Sequence, residues 1–507
     1  MIKLIDKFLN QTTMYRLILY YVLSLWVAAL VFSFFGLLPY TPAALIISVV
    51  FIVSVSLFVN AVFAWIFRVP SNIESVYAAA LILALIIAPL KSINDLWFLG
   101  GAAGLAMASK YILAIKRKHI FNPAALAVAL TAIILNQSAN WWVGNLYMAP
   151  LVFIDKLIMV RKIQRFDLVG SFFAVSLVTA AVILGVNFLK GEDLLSVLQV
   201  IFFYSPILFF AFVMLIEPAT TPPTRNLRIL YGALVGFLFS FPQIGSFYST
   251  PELALLVGNI FAYAVSPKKK LILELKEKIP VAVEVYDFLF KHEQKFKFKP
   301  GQYMEWTLGH DGQDVRGIRR YFTIASSPTE NDIRMGVKFY PNSSSFKQSM
   351  LSLNPGDKIV ASQLAGDFVL PKDKDKKLVF IAGGIGVTPF RSMIKYLLDT
   401  EEKRDIILLF SNYTPADIMY KDIFDQADRQ LGIKTIYNIS NTPYPSDWRG
   451  ERGFIDEQMI KRTVPDYKER TFYLSGSHGM VVAFDEILHK MAVPKRQIKK
   501  DFFPGLV

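Results

Sequence analysis

The 507-residue chain is 54% hydrophobic with a mean hydropathy of +0.41, holds no cysteine, and carries 54 Lys+Arg against 40 Asp+Glu, a net charge of +14. Without cysteine, thiolate-held iron–sulfur clusters, cysteine zinc sites and disulfides are excluded. The basic excess stands beside apolar runs, so it is read as topogenic charge and no nucleic-acid partner is expected.

Apolar runs fill the sequence up to about Pro267, and polar and apolar segments rich in Lys, Asp and Gly alternate after Lys268. This predicts a membrane half joined to a soluble half. Ten candidate spans fall at 14–36, 42–67, 76–90, 95–115, 122–138, 142–160, 166–188, 195–216, 228–245 and 252–266. No signal-peptide cleavage pattern follows the first run, which is read as a retained span. The runs 76–90 and 252–266 fall short of the ~20 residues that cross ~30 Å of hydrocarbon, and such short spans also mark binding sites.

Charge sets the orientation. Lys3, Lys7, Arg16, Arg68, 116–118, Arg161, Lys162, Arg165, Arg225, Arg228 and Lys268–Lys270 fall on one side, against Lys91 and Lys190 on the other. The expectation is a multi-pass protein of the cytoplasmic membrane, in contact with its lipid, with both termini cytosolic. Asn140-Trp141-Trp142 is then placed in the outer interfacial belt.

Three stretches of this half carry chemistry. In "KRKHIFNPAA" (116–125), His119 is the one histidine of five that precedes residue 270. A haem iron takes axial ligands from facing helices, so a lone histidine at the cytosolic rim is read as a polar cap, and no haem is expected. Asn122 and Pro123 are a good N-cap and first-turn residue for the next helix. "IEPATTPPTRN" (216–226) adds the hydroxyls of Thr220, Thr221 and Thr224, and helix starts of this kind also receive anionic groups. In "STPELALLVGNI" (249–260), Glu252 and Asn259 share a helix face, with Glu252 expected at the outer interface and Asn259 needing a partner in mid-span.

Together "FNPAA", "EPATTPPT" and the Glu252…Asn259 pair resemble the large membrane subunits of the Rnf and sodium-pumping NADH:quinone reductase complexes, the RnfD/NqrB family, over about 15–266. The resemblance implies flavin between the helices. The Ser-Gly-Ala-Thr-like motif that carries covalent FMN in the family is absent, so non-covalent FMN or riboflavin is expected, held near Asn122, Thr220 and Thr221.

From 271 to about 371 the apolar period is two, with Gly and Pro breaks, which predicts a small antiparallel barrel. "FKPGQYMEW" (298–306) turns into a strand bearing Gln302 and Tyr303. "RRYFTIASSP" (319–328) puts Arg320 and Phe322 on one strand face and Thr323 on the other. Arginine suits a diphosphate, an aromatic ring a flavin, and a hydroxyl flavin N5, although an aromatic strand with one arginine is also ordinary core and surface. "FYPNSSSFKQSM" (339–350) sets Ser343–Ser345 before a helix, a candidate pyrophosphate cradle.

"KDKDKK" (372–377) reads as a solvated turn between domains. From 377 strands and helices alternate: "KLVFIA", "PFRSMIKYLL", "DIILLF", "DIFDQADRQL", "KTIYNI", "TFYLSG", "HGMVVAFDEIL". This is the pattern of a doubly wound parallel sheet. In "IAGGIGVTPF" (381–390), Gly383, Gly384 and Gly386 let the backbone approach a pyrophosphate, and "FYLSGSHGM" (472–480) opens a second helix beside it.

The order Gly-Gln-Tyr, Arg-x-Phe-Thr, serine-rich turn, Gly-Gly-x-Gly-x-Thr-Pro and Tyr-x-x-Gly resembles the ferredoxin–NADP⁺ reductase family over about 271–507. The resemblance implies FAD held by Gln302, Tyr303, Arg320, Phe322 and Thr323, with Ser344 and Ser345 on its phosphates. It implies NAD(P)H at Gly383, Gly384, Gly386 and Thr388, with Tyr473 to Gly476 flanking the nicotinamide. Thr323, Ser475 and a terminal aromatic, Phe502 or Phe503, would be the catalytic contacts. Ser475 stands where relatives carry cysteine, and Ser477 where they carry proline.

The sequence therefore predicts three domains. These are a polytopic helical membrane domain (1–267), an FAD-binding barrel (271–371) and a doubly wound NAD(P)-binding domain (377–507). The expected activity is NAD(P)H oxidation through FAD and membrane flavin to an extracytosolic acceptor, such as a flavoprotein. The alternatives are quinone reduction at the cytosolic face and a transporter with a nucleotide-sensing domain.

Overall fold

The computed structural model describes residues 12, 14–67, 73–115, 118–153, 165–188, 205–241, 243–244, 247–266, 271–291, 296–314 and 317–503. The chain divides into two compact units, Met1–Lys269 and Lys270–Val507.

In the first unit the longer described helices are α1 (Met14–Phe34), α2 (Pro42–Phe67), α3 (Ile73–Ile86), α4 (Asp95–Ile112), α5 (Pro123–Leu135), α6 (Phe166–Phe188), α7 (Arg225–Ser240) and α8 (Pro251–Val265), with short helical turns at Ile207–Phe209, Phe210–Met214 and Pro218–Thr220. Among the described residues three stretches are long and apolar enough to cross a membrane: Arg16–Phe34, Pro42–Phe67 and Phe166–Ile183. This corrects the expectation of ten. Helices α3, α5 and α8 have 14, 13 and 15 residues, about 20 Å of rise each, well short of ~30 Å of hydrocarbon. Proline opens α5 and α8, and the backbone beyond α3 finds partners within the protein. The Asn140 and Trp141 N–H groups both donate to the Ile86 carbonyl at 2.9 Å, and Leu90 N–H donates to Ser48 Oγ at 2.8 Å. Irregular backbone at membrane depth is tolerated only with such partners. The expected spans 142–160 and 195–216 are described only in part, since 154–160 and 195–204 lie outside the described residues.

Glycines set the packing of α6, α7 and α8. A Cβ on Gly232 would stand 2.5 Å from the Leu168 carbonyl, and one on Gly236 2.6 Å from that of Phe172. Small residues let helix backbones approach this closely.

In the second unit the strands are β1 (Leu271–Ala282), β2 (Val285–Lys291), β3 (Tyr303–Thr307), β4 (Arg319–Thr323), β5 (Ile333–Lys338) and β6 (Lys358–Ala365). They form an antiparallel sheet in the order β4-β3-β6-β1-β2-β5. Its edges are joined by Ala325 N–H donating to the Arg334 carbonyl at 2.8 Å, so the expected barrel is a six-stranded sheet with linked rather than laddered edges. Trp306, Phe288 and Phe290 fill its core. A short helix, α9 (Ser345–Leu351), lies between β5 and β6.

The rest is a parallel sheet of β7 (Leu378–Gly383), β8 (Ile406–Asn412), β9 (Lys434–Ile439), β10 (Glu451–Arg452), β11 (Thr471–Ser477) and β12 (Ile498–Phe503). The order β10-β9-β8-β7-β11-β12 reverses direction beside β7, which places the ligand crevice at its carboxyl end. Helices α10 (Thr388–Asp399), α11 (Lys421–Leu431), α12 (Glu457–Thr463) and α13 (His478–Lys490) connect the strands. Residues 372–376 are exposed, as a solvated turn requires.

Candidate functional site

Glycine turn and strand end meet at the crevice. The turn Gly384–Val387 leads directly into α10, and Pro389 fits that first turn. A Cβ on Gly386 would stand 2.5 Å from the Ser475 carbonyl and 2.6 and 2.7 Å from Gly476 Cα and N. Gly384 has φ +51° with nothing within 4 Å of a built Cβ. A side chain on Gly383 would meet Met480 Sδ, and one on Gly476 would stand 2.8 Å from the same sulfur. Thr388 is buried, its hydroxyl donating to the Ile385 carbonyl at 3.1 Å.

Two buried hydroxyls stand out, Ser475 Oγ on the strand end beside the glycine turn and Thr323 Oγ1 at the end of β4. Thr323 Oγ1 and Ser475 Oγ are buried with no hydrogen-bond partner among the described residues. Buried polar groups are normally paired, so unpaired ones at a crevice point to a ligand. Asp501 pairs in register with Ser475, and one of its carboxyl oxygens is likewise buried and unpartnered. Burial pushes the Asp501 carboxyl up to about 7. Nothing in the sequence pattern marked Asp501, because only the pairing of β11 with β12 brings it to Ser475.

Tyr473 differs from the expected nicotinamide contact. It is fully buried, packed on Phe368 and Phe380 at 5.1 and 5.4 Å. Its hydroxyl donates to the Val369 carbonyl at 2.9 Å and accepts from Lys499 Nζ at 2.8 Å. Its residue type suits a sheet core better than a cleft wall. The backbone of Phe502 and Phe503 lies on β12, and their side chains fall outside the described set.

On the antiparallel sheet, β4 pairs with β3 so that Thr323 opposes Tyr303 and Arg320 opposes Trp306. The Arg320 guanidinium donates to the Gly317 and Arg319 carbonyls at 3.0 and 2.7 Å and lies 5.2 Å from the Phe346 ring centroid. Phe322 stacks on the same Phe346 at 6.1 Å, so Arg320 and Phe322 do share a face. Gln302 is structural in its contacts: its amide accepts from Lys299 N–H at 2.8 Å and donates to the Gly366 carbonyl at 3.3 Å.

Ser344 caps α9. Ser345 Oγ shares a hydrogen bond with His310 Nε2 at 2.9 Å, and Ser345 N–H donates to Asp314 Oδ2 at 3.0 Å. Asp314 also lies 3.8 Å from Arg320 Nη2. A carboxylate thus uses the donors that a phosphate oxygen would use.

In the first unit the three marked stretches converge. Asn122 caps α5, accepting from Ala125 N–H at 3.1 Å, and its amide donates to Glu217 Oε2 at 2.9 Å. Thr220 Oγ1 donates to the same oxygen at 3.2 Å. Asn259 Oδ1 accepts from Asn122 N–H at 2.8 Å, and its amide donates to Tyr231 at 3.2 Å. Thr221 Oγ1 accepts from Arg165 at 3.1 Å. These side chains are turned into the protein, with their capacity spent on one another. Glu252 and the tryptophans also depart from expectation. Trp141 and Trp142 are buried rather than in an interfacial belt, and buried Glu252 accepts from Trp141 Nε1 at 3.2 Å. An indole N–H taken from water needs such an acceptor. His119 lies in a two-residue bridge with Ala114, and its side chain is outside the described set.

Fold and crevice define a flavin- and nicotinamide-dependent reductase module in the second unit. Residues 380–486 match the oxidoreductase NAD-binding domain family. The chain is 29% identical over 210 residues to the glycine betaine monooxygenase reductase subunit of Chromohalobacter salexigens, covering 40% of this chain and 56% of that protein. It is 30% identical over 200 residues to NADH-cytochrome b5 reductase 1 of Coccidioides immitis, covering 38% and 64%. Among solved structures, the cytochrome b5 reductase domain of Ulva prolifera nitrate reductase matches at 25% identity and TM-score 0.42, over 46% of this chain and 98% of that one. The chain therefore spans 56% and 64% of the length of these two curated relatives. The second unit is a ferredoxin–NADP⁺ reductase-like FAD/NAD(P)-binding module of the oxidoreductase class.

Proposed function

We propose that the chain is a membrane NAD(P)H oxidoreductase, whose soluble unit takes electrons from cytosolic NAD(P)H and whose membrane unit delivers them to an extracytosolic acceptor. FAD in the soluble unit, when bound, supplies acceptance of a hydride and release of single electrons. Arg320, with Ser344 and Ser345, holds its diphosphate, and the Thr323 hydroxyl donates to the flavin edge. Gly384, Gly386 and Thr388 admit the nicotinamide nucleotide, and Ser475 and Gly476 line the nicotinamide. The close approach of Gly386 to Ser475 and Gly476, together with the buried hydroxyls of Thr323 and Ser475 that lack a partner among the described residues, carries this reading.

The membrane unit is proposed to hold FMN or riboflavin non-covalently. Its support is the meeting at Asn122 of the stretches that resemble the RnfD/NqrB family, Glu217 on its amide and Asn259 on its N–H. Asn122, Thr220 and Thr221 then shape the helix starts around the flavin.

Purified chain should release FAD and a second flavin, show no Soret band, and lose its flavin absorbance on addition of NADH or NADPH. In sealed vesicles an impermeant outer acceptor should be reduced by nucleotide supplied to the cytosolic face. The shortness of α3, α5 and α8 favours a second reading, reduction of quinone near the cytosolic face. One flavin per chain with quinone reduction and no transmembrane delivery selects it.

A further inference from the structure

Asp287 sits in the middle of β2 with its side chain fully buried. A carboxylate there is tolerated only with strong partners. One partner is local: Arg334 Nη1 on β5, at 2.6 Å. The other is the hydroxyl of Tyr420, which donates at 2.5 Å from the parallel-sheet domain, 133 residues away in sequence. Tyr420 precedes α11 in the left-handed region at φ +57°, a conformation that a bulky residue keeps only when its surroundings enforce it.

A second connection lies beside the first. Buried Arg391 on α10 makes a bidentate pair with Glu330, at 2.6 and 2.9 Å, and donates to the Ala325 carbonyl at 2.7 Å. Ser392 Oγ donates to the Ser326 carbonyl at 2.6 Å. The two connections touch, because the Arg391 guanidinium lies 5.4 Å from the Tyr420 ring centroid. The β5 backbone also lies close to these side chains: a Cβ on Gly336 would stand 2.9 Å from both Thr388 Cγ2 and the Tyr420 hydroxyl.

What these bonds join matters more than their number. Ala325 and Ser326 lie two and three residues beyond Thr323, the end of β4. Thr388, Arg391 and Ser392 follow the glycine turn directly in α10. The two segments that would carry flavin and nicotinamide are therefore bolted together within two to four residues of Thr323 and Thr388.

We propose that the Asp287–Tyr420 hydrogen bond and the Arg391–Glu330 pair form an interdomain lock that sets the hydride donor–acceptor approach. This rests on the NAD(P)H-to-FAD reading above. Asp287, Tyr420, Arg391 and Glu330 are positioning residues, touching neither ligand.

The test is Tyr420→Phe and, separately, Glu330→Gln in the full-length protein. Flavin content, the dissociation constant of NAD⁺, the limiting rate of anaerobic flavin reduction and its deuterium isotope effect with 4-deuterated NADH are measured. A misplacement of about 1 Å slows a step roughly 100-fold. The expected result is a limiting rate lowered about tenfold to 100-fold, an enlarged isotope effect, and flavin content and NAD⁺ binding within about twofold of wild type. Hydrogen exchange without nucleotide should also rise together at 325–330 and 388–392. Unchanged rate and isotope effect in both variants, against a wild type that is bleached normally, overturn the lock alone. A wild type that NADH and NADPH both fail to bleach overturns the reductase reading and the lock with it. Loss of FAD in step with the rate would make the contacts structural and overturn the proposal.

Discussion

Replacing Gly386 by alanine adds one methyl group at the tightest point of the crevice. That methyl would lie 2.5 Å from the Ser475 carbonyl oxygen and 2.6 and 2.7 Å from two backbone atoms of Gly476. All three are backbone atoms of a central strand, so none can swing aside as a side-chain tip would. The turn or the strand end must move by several tenths of an ångström or more. Overpacking of this kind costs about 1–3 kcal/mol, and displacement of order 1 Å at a reacting centre slows a step roughly 100-fold. Gly386→Ala should therefore keep its FAD, whose proposed contacts lie on the other sheet, yet reduce it about tenfold to 100-fold more slowly in anaerobic rapid mixing with NADH. Gly384→Ala is the internal comparison. Its added methyl meets nothing within 4 Å, and the penalty comes only from φ +51°, about 1–2 kcal/mol. It should bind and react better than Gly386→Ala. Wild-type reduction in Gly386→Ala, or the reverse ranking of the two variants, would refute the reasoning.

Three further outcomes are expected. Arg320→Ala with Phe322→Ala should weaken FAD by roughly tenfold to 100-fold, the worth of a charge-assisted phosphate contact, while the protein stays in the membrane. Full flavin content after gel filtration would contradict this. Asn122→Ala removes a helix cap worth about 1 kcal/mol and one of the donors to Glu217, so the membrane unit should unfold at lower temperature while NADH still bleaches FAD. An unchanged unfolding temperature would contradict the network. Asp501, pushed up to about 7 by burial, keeps in the folded state a proton that the unfolded chain loses near pH 4. Its contribution to stability is full below about pH 4 and falls as pH rises to about 7, by at most about 1.4 kcal/mol per pH unit. Asp501→Asn should remove that slope from the unfolding of the soluble unit, and a constant difference between variant and wild type from pH 4 to 7 would rule it out.

Local rules were legible along the chain because their physics is local. Period-two apolarity gave β1 to β6, and alternating strand and helix patterns gave β7 to β9, β11, α10, α11 and α13. Gly386 was marked by its turn, and Asn122 by the proline after it. The count of membrane spans was not legible, because hydropathy reports which residues avoid water and not how far a helix runs before its backbone finds another partner. The Ile86 carbonyl, taken by the N–H groups of Asn140 and Trp141, is such a partner, more than 50 residues away in sequence.

By itself, then, the sequence determined the two-part character of this protein, its helix starts and its glycine turn, and it named the candidate residues for FAD and NAD(P)H. Tertiary structure alone decided which glycine is the tight one, that Tyr473 belongs to a core, and that Asp501 stands beside Ser475 across two strands. It also brought Glu217 and Asn259 together on Asn122, and Asp287 to Tyr420 across 133 residues. A buried polar group must find its complement wherever packing places one, and that search is made in space, where distance along the chain carries no information.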